Sequence, residues 1–250
     1  MSHWHDDHIG GLPSVLALLR RLWDERNSPA LFRPPRLHKF PIPASQVDPR
    51  DNLSSIIDSL PPNSFTPNPQ GGPIHSLYDS QIVSSLQVLH TPGHTLDSIC
   101  LYLPEDRALY TADTVLGQGT AVFTDLALYL SSLKKMIEFG EPYTAVYPGH
   151  GPVVPDGPKL IKEYAQHRLD REKEIVALLR SPPPPNSGVW TTWLLVSKIY
   201  AAYPKDLWLA ACHSVELHLY KLEGEGLVSR TGGQDEHTSW VYHGKQSQRL

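Results

Sequence analysis

The chain has 250 residues, 40% of them apolar and 19% charged, which is enough for a sizeable core in one large domain or one domain plus a small one. Its net charge of −4 argues against a strongly basic nucleic-acid binder, and its two cysteines, Cys100 and Cys212, exclude a disulfide framework and a cysteine-built zinc ribbon. No apolar run reaches the ~20 residues of a membrane helix and Met1-Ser2-His3-Trp4 has no signal pattern, so a soluble, cytoplasmic protein without a membrane partner is expected.

Residues 3–11 read as a polar loop, His3-Trp4-His5-Asp6-Asp7-His8-Ile9-Gly10-Gly11. Val15, Leu16, Leu19, Leu22 and Trp23 then fall at helical spacing, which predicts a helix over about 13–26 with Pro13 in its first turn. Residues 27–73 are broken by prolines, with one short strand expected at Leu37 to Phe40 and a helical turn or two at Asn52 to Leu60. Residues 74–115 read as β segments: one ending at Ile82-Val83, then Leu86 to His90, Ser98 to Leu103 and Ala108 to Thr111. A helix over 124–139 follows, then a strand at Thr144 to Tyr147 and a long amphipathic helix over about 156–180.

The proline run Pro182 to Pro185 with Asn186-Ser187-Gly188 reads as a stiff linker. It divides the chain into 1–180, a linker over 181–188, and 189–250. The last part reads as two helices, about 190–202 and 207–223, and two strands, Leu227 to Arg230 and Thr238 to His243, which is the order of a winged-helix module. Trp190 and Trp193 are placed together on the first of those helices.

The histidines carry the chemistry. His3, His5, Asp7 and His8 lie within six residues, so one loop can aim all four at a point. Imidazole nitrogen and carboxylate oxygen are good ligands for zinc and similar ions. His94, Asp113 and His150 each follow an apolar strand beside glycine or a small residue, where a rigid scaffold presents functional groups. Together these residues make seven ligands, which suits two ions sharing one carboxylate. The remaining histidines, His75, His213, His218, His237 and His243, read as surface or satisfied half-buried groups. His90 reads as strand, His167 as packing, and Cys100 as an inert buried thiol.

The order H-x-H-x-D-H, then P-G-H, then a strand-terminal Asp, then P-G-H-G resembles that of the metallo-β-lactamase superfamily. The run Thr111 to Phe123, the long helix with His167-Arg168 and the winged-helix tail resemble its lactamase-beta-like protein 2 branch. Fungal atrochrysone carboxyl ACP thioesterases and an animal endoribonuclease belong to that branch. The resemblance implies an α/β, αββα sandwich with a C-terminal winged-helix-like domain. It also implies two zinc ions: His3, His5 and His94 on the first, Asp7, His8 and His150 on the second, and Asp113 bridging them. Asp7 would be the catalytic residue that handles the proton.

The family carries several strands before its first metal loop, whereas only Met1-Ser2 precede His3 here, so a sandwich truncated at its N-terminus is expected. Three functions follow from these readings. One is a dizinc thioesterase releasing a polyketide from an acyl carrier protein domain in secondary-metabolite biosynthesis. The second is a metal-dependent endoribonuclease, and the third a truncated, inactive fragment. Metal chemistry does not choose between carbon and phosphorus. Charge weighs against RNA, because Val189 to Leu250 holds six Lys and Arg against six Asp and Glu, and a nucleic-acid-reading wing is normally basic.

Overall fold

The computed structural model describes residues 1–26, 31–185 and 187–244. Residues 27–30 of the proline-broken stretch, Asn186 of the expected linker and the last six residues lie outside them. A helical turn α1 (Asp6–Ile9) leads into α2 (Leu12–Arg26). After them come β1 (Leu37–Lys39), α3 (Leu53–Asp58) and β2 (Ile74–Ser76), with β1 and β2 paired in parallel. Strands β3 (Ile82–Val83), β4 (Leu86–His90), β5 (Ile99–Leu103), β6 (Ala108–Ala112) and β7 (Ala145–Pro148) form a five-stranded sheet in that order. Its pairs are antiparallel except β6 with β7, which are parallel. Helix α4 (Leu126–Ile137) makes the crossover between those two, and α5 (Gly157–Leu179) follows β7.

Alternation sorts the faces of this sheet. Registered neighbours Leu89, Cys100, Tyr102, Leu109 and Val146 share one face. They pack on Leu126, Tyr129, Leu133 and Met136 of α4 and on Ile161 and Tyr164 of α5. Leu109, Leu133 and Ile161 are fully buried, and each such side chain contributes about 2–3 kcal/mol of transfer free energy. Asp125 caps α4 by accepting from Leu128 N at 2.9 Å, and Asp156 caps α5 by accepting from Lys159 N at 3.2 Å. On the opposite face Val88 and Ile99 are buried against Leu77, with Phe40 and Leu101 packed beside them.

The C-terminal elements are β8 (Trp190–Thr191), α6 (Thr192–Ile199), α7 (Trp208–Gly224), β9 (Val228–Gly232) and β10 (Ser239–Tyr242), with the strands ordered β8-β10-β9. Their core, around Val215, Leu219 and Trp240, also takes Ile175 and Leu179 from the end of α5, while Leu217 of α7 joins the core of the first sheet. Helix α5 therefore serves both cores. No described helix is long and apolar enough to cross a membrane.

Four expectations change. Residues 3–11 are not all loop, since His8 and Ile9 N–H groups bond back to the His5 carbonyl and start a helical turn. The segment expected to end at Ile82-Val83 splits into β2 and β3, because the chain turns between them with Ser80 in the left-handed region at φ 64°. Trp190 lies in β8 opposite Trp240 rather than on a helix with Trp193, because Thr191 caps α6 through Leu194 N. His218 is neither exposed nor satisfied: it is fully buried and neither ring nitrogen has a hydrogen-bond partner among the described residues.

Candidate metal centre

The ends of β4, β6 and β7 and the turn before α2 meet at one edge of the five-stranded sheet. Leaving β4, the chain passes Thr91-Pro92-Gly93 to His94. Gly93 has φ +133°, and a Cβ there would overlap the Tyr129 backbone, so this close approach needs glycine. The loop is braced by buried Asp97, which accepts from Thr95 Oγ1 at 2.7 Å and pairs with Lys39 Nζ at 2.5 Å. Leaving β6, Ala112 takes the unusual φ of 44° immediately before Asp113. After β7, the Gly149 N–H bonds to the Ala112 carbonyl at 2.8 Å and brings His150 beside Asp113.

The structure brings all seven candidate ligands together in two groups that share Asp113. In the first, His3 Nε2 lies 3.1 Å from His5 Nδ1, and His94 Nε2 lies 3.2 Å and 3.0 Å from those two atoms. Asp113 Oδ2 stands 3.9 Å from His3 Nε2 and 3.7 Å from His94 Nε2. In the second, Asp7 Oδ2 is 3.0 Å from His150 Nε2 and 3.6 Å from His8 Nε2. Asp113 Oδ1 is 3.2 Å from His8 Nε2, and its Oδ2 is 3.4 Å from His150 Nε2.

Two observations test whether a metal fits. Nitrogens held ~2.0–2.1 Å from a tetrahedral zinc stand about 3.3 Å apart, close to the 3.0–3.2 Å found among His3, His5 and His94. In addition, His8 Nε2 and Asp113 Oδ1 are buried and close, yet no directed hydrogen bond joins them. Such orphaned atoms face a common space rather than each other. The residues fit divalent ions.

Hydrogen bonds behind the ligands fix which nitrogens are free. His94 Nδ1 stands 2.7 Å from the Val122 carbonyl, which only accepts, so Nδ1 is the donor and Nε2 is the nitrogen turned toward His3 and His5. The Ser2 hydroxyl lies 3.2 Å from His3 Nδ1 and 3.1 Å from His8 Nδ1, tying a ring of each group to one side chain. Sequence reasoning misses Ser2 and Val122: one is a common residue beside a histidine, and the other acts through its backbone.

Burial and mutual proximity set the charge states of these groups. Burial, then the neighbouring His8 and His94, hold His3 far below the usual imidazole value. Burial and His94 also lower His5, so both rings are neutral near pH 7. The Asp113 carboxylate raises His8 against its burial. Burial pushes Asp113 up, but His8, His3 and His94 together bring it below the usual carboxylate range. His167 stands outside both groups, with Nδ1 3.4 Å from Arg168 Nη1. His90 Nε2 donates to the Leu96 carbonyl at 2.8 Å and its ring stacks on Phe40, as a strand residue would. Cys100 is fully buried and pushed up to about 11, an inert thiol.

Residues 1–150 match the family model of the metallo-beta-lactamase superfamily, and residues 191–240 match the beta-lactamase associated winged helix domain. The chain is 31% identical over 240 residues to a beta-lactamase-like protein 2 homolog of Drosophila melanogaster, covering 94% of this chain and 71% of that protein. It is 31% identical over 232 residues to the Caenorhabditis elegans homolog, covering 91% of this chain and 65% of the relative. It is 30% identical over 236 residues to an atrochrysone carboxyl ACP thioesterase of Aspergillus chevalieri, covering 92% and 63%. The chain thus spans somewhat less than two thirds of the worm and Aspergillus proteins. Among solved structures, a beta-lactamase domain protein from Burkholderia ambifaria superposes with a TM-score of 0.57 at 21% identity, over 76% of this chain and 56% of the other. A metallo-beta-lactamase family protein from Thermus thermophilus gives 0.51 at 20% identity, over 96% and 69%. These two likenesses concern the fold alone.

Proposed function

The chain belongs to the metallo-beta-lactamase superfamily, whose members are generally hydrolytic enzymes, and from that premise we propose that it is a dizinc thioesterase. Its substrate would be a polyketide acyl group on an acyl carrier protein. His3, His5 and His94 would hold one ion, Asp7, His8 and His150 the other, and Asp113 both. The observation that carries this reading is that both groups close on Asp113, whose Oδ2 stands 3.4–3.9 Å from His150, His94 and His3 and whose Oδ1 stands 3.2 Å from His8.

When bound, such a pair of ions supplies Lewis acidity and a water acidic enough to ionise near neutral pH. The chain's own part is proton handling and placement. Asp7 is half exposed; its Oδ2 faces His8 and His150, which leaves Oδ1 to orient a water and take its proton. The leaving thiolate needs little protonation, because a free thiol has a pKa of ~8.5. A groove of about 220 Å³ beside His8 and Gly149 is walled by Ile99, Leu101, Tyr110 and Tyr147, an apolar and aromatic lining suited to an acyl chain. The name of the Aspergillus relative and the neutral C-terminal module favour a thioester over RNA.

The test is hydrolysis of an aromatic acyl-pantetheine thioester, with single-stranded RNA run in parallel. Thioester turnover that disappears with chelator and in Asp113→Ala is expected. Metal-dependent RNA cleavage without thioester turnover would overturn the substrate assignment in favour of a nuclease. Turnover retained in both Asp7→Ala and Asp113→Ala would overturn the dizinc mechanism.

A further inference from the structure

Between β6 and α4 runs a strap, residues 116–124, that touches both ligand groups. At its start the Gly117 N–H bonds to the His150 carbonyl at 2.9 Å. Near its end the Val122 carbonyl accepts the His94 Nδ1 proton at 2.7 Å, and the Thr124 N–H bonds to the Gly93 carbonyl at 2.7 Å. The Val122 side chain is exposed, so the carbonyl that His94 depends on is held through its neighbours, buried Ala121 and Phe123 and Thr124, whose Oγ1 reaches the Gly93 and His94 carbonyls at 3.3 Å.

Helix α5 supplies the anchor. Tyr164 OH donates to the Gly119 carbonyl at 2.9 Å, and Arg168 Nη2 donates to the Ala121 carbonyl at 3.1 Å, one peptide before Val122. The Arg168 guanidinium also lies 4.9 Å over the Phe123 ring, one residue after Val122. Arg168 is only 6% exposed, and among the described residues no carboxylate pairs with it. Its Nε has no hydrogen-bond partner among them. A buried guanidinium without a counter-ion is costly, and packing alone would be served better by an apolar side chain. What it does here is grip the strap on both sides of Val122.

We propose that Arg168 is a positioning residue for the metal centre. By holding Ala121 and Phe123 it keeps the Val122 carbonyl on His94 Nδ1, which fixes the tautomer and aims Nε2 at His3 and His5. The inference rests on the dizinc reading for its consequence, but the grip on His94 stands on the hydrogen bonds alone.

Two variants test it on the full chain. Arg168→Met keeps a long packing stem and loses the donors and the charge; Arg168→Lys keeps the charge and one donor. The probe is cobalt(II), followed by its visible absorption, together with the exchange rate of the His94 Nδ1 proton in the metal-free protein. Losing a group that orients a ligand from behind weakens metal binding ~10–100-fold, so about tenfold weaker cobalt binding is expected for Arg168→Met, with an altered spectrum and faster exchange. Arg168→Lys should recover part of each. A folded Arg168→Met with wild-type affinity, spectrum and exchange overturns the proposal. If Arg168→Met fails to fold, wild-type values of all three in Arg168→Lys overturn it. If the wild-type chain takes up no cobalt, the dizinc reading fails, while the exchange comparison still decides whether Arg168 holds His94.

Discussion

Gly149→Ala should dismantle the second group while leaving the fold and the three histidines of the first group in place. An added Cβ at Gly149 would overlap Asp113 Oδ1, approach His8 Cε1 to 2.9 Å and the Ala112 carbonyl carbon to 3.3 Å. Ordinary carbon–carbon contact begins near ~3.5–4.0 Å, so the His8 ring must retreat by about 0.6–1 Å. Metal–ligand distances tolerate only about ±0.2 Å, so His8 and Asp113 can no longer meet one ion. The overpacking itself costs ~1–3 kcal/mol, which a domain with this core survives. Zinc titration against a chromophoric chelator should therefore show one tight ion in place of two. Gly140→Ala is the control, since a Cβ there meets nothing within 4 Å. Two ions bound at wild-type affinity in Gly149→Ala would show that His8 and Asp113 do not share an ion beside Gly149.

His218 predicts a pH effect on stability. Burial, then Arg168, Arg171 and Lys221, push its pKa down to about 3 in the fold, against ~6.5 unfolded. The unfolded chain takes the proton first, so stability falls as pH drops below the unfolded value, by about 1.4 kcal/mol per unit until about pH 3. His218→Leu should lose about 2 kcal/mol less than wild type between pH 7.5 and 5 in urea unfolding with chelator present; parallel pH profiles would contradict this. Asp7→Asn keeps an oxygen toward His150 but accepts no proton, so zinc content should persist while thioester turnover collapses; loss of metal and activity together would make Asp7 a ligand only. Zinc at 100 times its Kd should stabilise the fold by ~2.7 kcal/mol, about 5–11 °C in Tm for a chain of this size; coincident melts with and without chelator would count against a tight site.

Local signals explain what can be read in advance. Strands β4, β5 and β6 are short, largely apolar runs, as in a sheet covered on both faces, and stop at Thr91-Pro92-Gly93, Pro104 and Asp113. His94, Asp113 and His150 are legible as candidate ligands because each sits where an apolar strand ends, and the structure brings them to His3, His5, Asp7 and His8. Pairing at long range is not legible. Ile74 to Ser76 joins Leu37 to Lys39 rather than the neighbouring strand, and Trp190 meets Trp240 across fifty residues of chain. Backbone acceptors leave no mark on sequence, so the Val122 carbonyl behind His94 has no signal there. His218 misleads because a histidine among Val215, Leu219 and Leu222 looks like one polar position on an amphipathic helix, whereas α7 is enclosed on that side by α5.

Elemental analysis of zinc per chain, on monodisperse protein exchanged into metal-free buffer, decides whether the seven residues hold a pair of ions. Two ions per wild-type chain, falling in Asp113→Ala, are predicted, because both ligand groups close on that one carboxylate. Wild-type protein that is folded and binds no divalent metal would mean that the cluster is not a metal site.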